Sequence, residues 1–168
     1  MNDEYEKAQN MPIWRQWFEC MDSKLSALSE LVPDMPADPY TADGLKRVMA
    51  VAHDVFPTVQ SVSENAETAD LFARFIGEVF RRNFDGRWFN FPYHMAGLPD
   101  LFPAVRFDWD YPGYVIPAHQ LSDEIELGPE REAVAWVYGN YTQDHAEWVA
   151  AGRPAGEALK KWKPELFA

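Results

Sequence analysis

The chain contains 168 residues, of which 47% are hydrophobic and 15% aromatic, and it carries a formal net charge of −12 at pH 7. This length and composition predict one globular domain, residues 1–168, and exclude a largely disordered chain. The negative charge argues against nucleic acid as a partner, because the phosphate backbone would be repelled.

The N-terminal third of the sequence predicts a tail followed by helix. The acidic and polar residues 1–10 are expected to form a flexible tail, and Asn10 can cap a helix that begins near Pro12. Three prolines between Pro33 and Pro39 then stop that helix. Its buried stripe is predicted from apolar residues at steps of three and four: Trp14, Trp17, Phe18, Met21, Leu25, Leu28 and Val32.

Two further helices are predicted in the middle of the chain. Thr41 can cap the first of them, which ends at Pro57. The polar segment 58–68 can hold a short strand or a loop, and the next helix runs from about residue 67 to 83. Gly77 lies inside that helix, where glycine costs about 1 kcal/mol relative to alanine. We therefore expect another element to approach the helix closely at Gly77.

The second half of the sequence predicts a small sheet and a long helix. Asp85-Gly86 breaks the preceding helix, and a strand follows over residues 87–91. Residues 104–110 alternate between apolar and polar, as a half-buried strand does, and a turn leads to a partner strand over 114–118. A long helix opens at residues 128–130. The predicted fold class is α+β: N-terminal helices, an antiparallel sheet of about three strands, and a long C-terminal helix.

Candidate catalytic groups are few. Arg74, Glu78 and Arg82 are spaced four residues apart, which suits a catalytic acid held by arginines but more simply predicts a surface ladder of ion pairs. His53 beside Asp54 can act as a general base, or can stabilise a helix C-terminus. His145 falls on an apolar stripe and is interpreted as a hydrogen-bonded core or boundary residue. The sequence predicts no catalytic residue.

No cofactor or metal site is predicted either. The histidines at positions 53, 94, 119 and 145 show no metal-binding spacing, and no glycine-rich phosphate loop is present. Asp108, Asp110 and His119 can meet across the predicted hairpin, but acids on the outer face of a strand are usually only solvated. Cys20 is the single cysteine, so no intrachain disulfide can form.

One segment resembles known proteins. The stretch IGEVFRRNFDGRW, Ile76 to Trp88, places Gly-Glu within a helix and Gly-Arg-Trp at the start of a strand. This arrangement resembles a module of small uncharacterised bacterial proteins, several of which are similar to immunity proteins of polymorphic or secreted toxins. The resemblance covers under a tenth of the chain. It implies an immunity-type role and assigns a function to no individual residue.

An acidic surface with interleaved tyrosines is the predicted partner-binding site. Such a surface can steer and then anchor a basic protein. The other interpretation is a solvated strand face next to acids placed at a helix start. The apolar loop between the first two strands caps the core or forms a second recognition surface. The predicted partner-binding residues are Asp108, Asp110, Tyr111, Tyr114, Asp123, Glu124 and Glu126.

The leading hypothesis is a non-enzymatic protein-binding domain, most concretely an immunity protein that blocks a bacterial toxin. Its partner is then a basic or toxin-like protein. The alternative is a small enzyme or ligand-binding protein with a pocket between sheet and helices, using His94, His119 or Glu78. A homo-oligomeric structural protein is a third hypothesis. No apolar run is long enough to span a membrane and the N-terminus is unlike a signal peptide, so we expect a cytoplasmic protein without a membrane partner.

Overall fold

The computed structural model describes residues 3–92, 101–110 and 113–167, in which helices surround one small sheet. The α-helices are α1 (Asp3–Asn10), α2 (Pro12–Glu19), α3 (Met21–Leu31), α4 (Ala42–Val55), α5 (Val59–Glu64), α6 (Ala66–Asn83), α7 (Pro117–Leu127), α8 (Ala133–Ala150) and α9 (Glu157–Trp162). Short 3-10 helices span Pro129–Arg131 and Pro164–Phe167. The strands are β1 (Arg87–Asn90), β2 (Pro103–Arg106) and β3 (Tyr114–Val115). The predicted α+β class is confirmed.

Residues 3–10 form a helix instead of the flexible tail predicted for residues 1–10. The Gln9 side chain joins α1 to the edge strand β1. Its Nε2 donates to the backbone oxygen of Asn90 at 2.6 Å, and its Oε1 accepts from the Asn90 N–H at 2.8 Å. One side-chain amide thus satisfies both backbone groups of a residue on an open sheet edge.

The single helix predicted from residue 12 to 32 is two helices. The chain turns at Cys20, so α2 ends at Glu19 and α3 begins at Met21. Trp17 before the break and Met21 after it are both buried, so one apolar stripe serves both helices. Spacing alone could not reveal the break, because the four-residue step from Trp17 to Met21 also fits an uninterrupted helix.

Helix caps set the boundaries of α4 and α5. Thr41 Oγ1 accepts from the Gly44 N–H at 3.3 Å, which confirms the predicted cap of α4. The segment interpreted as strand or loop is α5. Thr58 and Ser61 form its capping box, in which each side chain accepts from the backbone N–H of the other residue.

Helix α6 is the central element of the core. It packs against α3, α4, α5, α7 and the first two strands. Its boundaries match the predicted helix within one residue, and Phe72, Ile76, Val79 and Phe80 are fully buried. A Cβ atom on Gly77 would overlap the indole ring of Trp88, so the close approach expected at Gly77 is made by β1.

The sheet is antiparallel with strand order β1-β2-β3. Trp88 pairs with Val105, and Val105 pairs with Val115. The predicted strands 104–110 and 114–118 are shorter than expected, since β2 ends at Arg106 and β3 at Val115. Pro117, which the predicted strand 114–118 includes, instead lies in the first turn of α7, where a missing N–H costs nothing.

The C-terminal helix begins later than predicted. Gly128 has φ +82° and leads into a 3-10 turn, and α8 starts only after Glu132, whose backbone is left-handed. Trp148 near the end of α8 is buried, and Leu159 on α9 returns to the core. None of the helices in the described ranges is both long and apolar enough to cross a bilayer.

Gly77→Ala should lower the free energy of unfolding by roughly 1–3 kcal/mol, because the added methyl group overlaps Trp88. Gly139→Ala, in the middle of α8, is the matched control. A Cβ there meets nothing within 4 Å, so its stability should rise by up to about 1 kcal/mol. Urea denaturation followed by circular dichroism measures both variants. Equal stabilisation by the two substitutions would contradict the packing of Trp88 on Gly77.

Candidate functional site

Glu78 lies at the centre of a polar cluster that joins α6 to β1. Its Oε1 accepts from Trp88 Nε1–H at 2.7 Å and from Arg81 Nε–H at 2.6 Å. Its Oε2 accepts from Arg81 Nη2–H at 2.9 Å and from Arg82 Nε–H at 2.8 Å. The predicted pair of Glu78 with Arg82 is confirmed, but the side chain of Glu78 is only 5% exposed, so this is a buried carboxylate with four donors and not a surface ladder.

The surroundings of Glu78 keep it ionised. Burial by itself raises the pKa of its carboxyl, but hydrogen bonds from Arg81, Arg82 and Trp88 outweigh burial and hold the pKa at about 2. A carboxylate with both oxygens engaged and so low a pKa is poorly suited to exchange protons near neutral pH. The arrangement is therefore that of a structural clamp.

Arg74, the third member of the predicted ladder, faces a different partner. Its Nε donates to Asp70 Oδ2 at 2.6 Å, and its Nη1 donates to the Trp17 backbone oxygen at 2.7 Å. The guanidinium carbon lies 3.9 Å from the centroid of the Trp17 ring. Trp17 Nε1–H in turn donates to Asp70 Oδ1 at 2.8 Å. Asp70 and Arg74 thus form a neutralised pair that ties α2 to α6.

A cavity of about 340 Å³ opens beside this pair, between the sheet and the helices. Its walls come from α2, α5, α6, α7 and the first two strands, and most lining side chains are apolar or small. Trp17 and Trp88 supply the aromatic surface, and Asp70 supplies the charged oxygen atoms. Because Arg74 neutralises Asp70, the cavity suits a small and largely apolar molecule with a hydrogen-bond donor.

The histidines named for the enzyme alternative do not line this cavity. His119 is exposed and packs edge-on against Phe102, and His94 lies outside the described residues. Glu78, the carboxylate of that alternative, has both of its oxygens engaged in the hydrogen bonds described above. Among the described residues, no group of three or more His, Cys, Asp or Glu side chains has the arrangement of a metal site.

A second, smaller cavity of about 120 Å³ is lined by an imidazole and a buried carboxylate. His53 Nε2 lies 3.1 Å from Glu124 Oε1, whereas the sequence suggested Asp54 as its neighbour. Glu124 Oε2 accepts from the Val134 N–H at 2.8 Å. Glu124 therefore caps the first turn of α8 from the neighbouring helix α7. This second bond gives the carboxylate a structural role that requires no substrate.

His145 is a boundary residue, as interpreted from its place on an apolar stripe. Its ring packs against Trp109 and Trp148. Its Nε2 lies 2.9 Å from Asp85 Oδ2, and Arg153 Nη1 donates to the same oxygen at 3.0 Å. The hydrogen bond with His145 and the charge of Arg153 lower the pKa of Asp85. The group ties the end of α8 to the turn before β1.

The acids predicted on the hairpin are engaged within the chain. Asp108 forms a two-bond ion pair with Arg87, with both distances 2.8 Å. Asp110 is half-buried and accepts from the Tyr141 hydroxyl at 3.1 Å, and burial raises the pKa of its carboxyl. Tyr111 lies outside the described residues. Tyr114 is partly exposed, with its ring against Phe89 and Phe91.

The predicted acids on α7 differ in their exposure to solvent. Glu124 is 3% exposed, so it is wrong as a member of a solvent-facing binding surface. Asp123 and Glu126 are exposed, and among the described residues neither has a hydrogen-bond or ion-pair partner. They lie on the side of α7 opposite Leu121 and Ile125, which are buried. An unpaired acidic surface therefore exists on α7, not on the hairpin.

Two exposed apolar side chains on α7 and α8 were not predicted. Leu127 at the end of α7 is 57% exposed and Trp136 on α8 is 69% exposed. Trp136 follows Val134 by two positions, about 200° around the helix, so it lies on the side of α8 away from the Glu124 contact. The position of Trp136 outside the apolar stripe of α8 was the sequence feature that could have revealed it.

Comparisons with protein-family models, with curated proteins and with solved structures give no match. The resemblance of Ile76–Trp88 to immunity-type proteins therefore stays a prediction. In the structure that segment builds the clamp around Glu78 and the packing of Trp88 on Gly77.

Glu124→Ala should lower the free energy of unfolding by roughly 2–3 kcal/mol, because it leaves the Val134 N–H and His53 without their buried partner. Asp123→Ala, one residue away on the same helix, should change it by less than about 0.5 kcal/mol. Urea unfolding of the two variants makes the comparison. Similar effects of both would show that Glu124 does not hold α7 to α8.

Proposed function

We propose that this chain is a non-enzymatic protein-binding domain that engages a basic partner protein through the exposed side of α7 and the start of α8. Its most concrete form is a cytoplasmic immunity protein that blocks a bacterial toxin. One observation carries the proposal: two neighbouring helices expose the unpaired acids Asp123 and Glu126 on α7 and the large apolar side chains of Leu127 on α7 and Trp136 on α8.

The charge of this surface supports fast and selective encounter. The chain carries −12, and a field of that sign accelerates association with a positively charged protein while repelling acidic ones. Desolvated aromatic side chains usually supply most of the affinity at an interface, and tryptophan is prominent among them. Asp123 and Glu126 would steer the partner, and Trp136 would anchor it.

An inhibitory role fits the same chemistry. An enzyme that acts on nucleic acid binds phosphates and so carries a basic substrate surface. An acidic domain that covers such a surface blocks the substrate sterically and satisfies its charges, without a catalytic group of its own. The resemblance of Ile76–Trp88 to immunity-type proteins points in the same direction.

A second function is favoured by the 340 Å³ cavity between sheet and helices. Its volume falls within the range of small-molecule sites, and its walls are largely apolar. In that case the chain is a ligand-binding protein, and its ligand is uncharged and carries a donor for Asp70. Ala73→Leu, which enlarges a lining side chain, should then expel the ligand.

Native purification from the cells of origin at low ionic strength tests both functions, with mass spectrometry of the bound proteins and of released small molecules. We expect a basic protein to co-purify and to dissociate as salt is raised. The double variant Asp123→Lys with Glu126→Lys should no longer bind the basic protein. A control with Glu19→Lys and Glu30→Lys, exposed positions on α2 and α3, changes the net charge equally and should retain it.

The outcomes separate the two functions. Equal retention by both double variants, or recovery of the chain only as a free monomer, would contradict a partner bound at α7. A stoichiometric small molecule that Ala73→Leu removes, with no bound protein, would replace the first function with the second. If the captured protein is a toxin, co-expression of the wild-type chain but not the α7 variant should protect cells from it.

A further inference from the structure

The outer face of α8 has a composition unusual for an exposed helix. Residues 133–143 include no charged side chain, although 25% of the whole chain is charged. Within α8 only Val134 and Trp148 are buried. Exposed helix faces are normally charged or polar, and an uncharged face is typical of a helix that packs against something on that side.

Trp136 and Gly139 lie one turn apart on this face. Trp136 is 69% exposed, the highest value among the large hydrophobic side chains of the described residues. Gly139 is also exposed, and a Cβ placed on it would meet nothing within 4 Å. A protruding indole is thus followed by a gap in the side-chain surface. Asn140 and Gln143 continue the same face with uncharged polar groups.

No packing contact in the described part of the chain explains the glycine at position 139. Glycine within a helix reduces stability relative to alanine, so its presence usually marks a close contact. The space beside Gly77 is filled by the Trp88 side chain, and the space beside Gly44 is filled by the backbone of Pro39. Gly139 has normal helical backbone and no such neighbour among the described residues. A close contact with another molecule would account for a glycine at this position.

The charges that precede α8 and those on the adjacent helix indicate what that molecule is. Glu130 and Glu132 precede α8, and Asp123 and Glu126 lie on the adjacent helix. Glu132 pairs with Lys46 at 3.4 Å, but among the described residues the other three have no hydrogen-bond or ion-pair partner. A second copy of the chain would bring another charge of −12 to this face, whereas a basic protein would neutralise it.

We infer that the outer face of α8 is a docking face for a basic protein, with Trp136 as the anchor and Gly139 as the notch that admits a partner side chain or backbone. The inference rests on the proposed function, since the docked protein is the same basic partner. It adds which helix makes the close contact and where on that helix the partner lies nearest.

Site-specific photocrosslinking in the cells of origin tests the docking face. The full-length chain carries p-benzoylphenylalanine in place of Asn140, and a control chain carries it in place of Ser26, an exposed position on α3. We expect a covalent adduct with a basic protein at position 140 and none at position 26. Mass spectrometry identifies the crosslinked peptide.

Three variants separate docking from folding. Gly139→Trp fills the notch and should reduce the adduct yield at position 140 at least about tenfold, and Trp136→Ala should do the same, as expected for a hot-spot residue. Neither should lower the Tm, because both positions face solvent. Gly139→Ala should raise the Tm by roughly 2–4 °C. It therefore shows that loss of the glycine does not unfold α8.

Each result has a distinct meaning. An adduct with a second copy of this chain would overturn the basic-partner inference in favour of self-association. The absence of an adduct at position 140, with the salt-sensitive partner of α7 still captured, would overturn this inference and leave the proposed function intact. The absence of a partner in both experiments would overturn both. An undiminished adduct in Gly139→Trp and Trp136→Ala would also overturn the docking face.

Discussion

The contact of Trp88 with Gly77 and Glu78 holds the sheet against the central helix α6. The indole ring of Trp88 occupies the surface that Gly77 leaves open on α6, and its N–H donates to the buried Glu78 carboxylate at 2.7 Å. This single side chain fixes β1 on the central helix, and the other strands follow through their pairing with β1 and β2. Two arginines neutralise Glu78, so a charge can lie in the core without an unpaired oxygen.

Local sequence patterns were reliable where a single stripe or cap decides the structure. The bounds of α6, the Thr41 cap and the close approach at Gly77 were predictable because each depends on neighbouring residues. Helix α7 was not predicted, because its acidic sequence after β3 has a weak apolar pattern and residues 114–118 were interpreted as a strand. The break at Cys20 is invisible to periodicity for a related reason, since both helices bury one stripe.

The partner of a polar side chain was the least predictable feature, because it depends on contacts distant in sequence. Glu124 is bound by His53 and Val134, which lie 71 and 10 residues away. The alternation of residues 104–110 placed Asp108 and Asp110 on an outer face, but not their pairing with Arg87 and Tyr141. Of the predicted acids, Asp123 and Glu126 on α7 have no partner among the described residues, and the exposed Trp136 on α8 was accounted for by no stripe. The proposed interaction surface is therefore on α7 and α8, whereas the polar cluster around Glu78 serves the fold.

The structural role of Glu78 is tested most directly by the pH dependence of stability. A carboxyl whose pKa falls from 4.5 to about 2 on folding stabilises the protein fully above pH 4.5, and that contribution is lost as the pH falls towards 2. The shift corresponds to roughly 3 kcal/mol. Urea unfolding between pH 2 and 7 should therefore show Glu78→Gln much less stable than wild type at neutral pH, with the difference shrinking towards pH 2. The exposed control Glu30→Gln should follow wild type throughout. A difference that is absent, or that does not change with pH, would contradict the account of Glu78 as an ionised clamp.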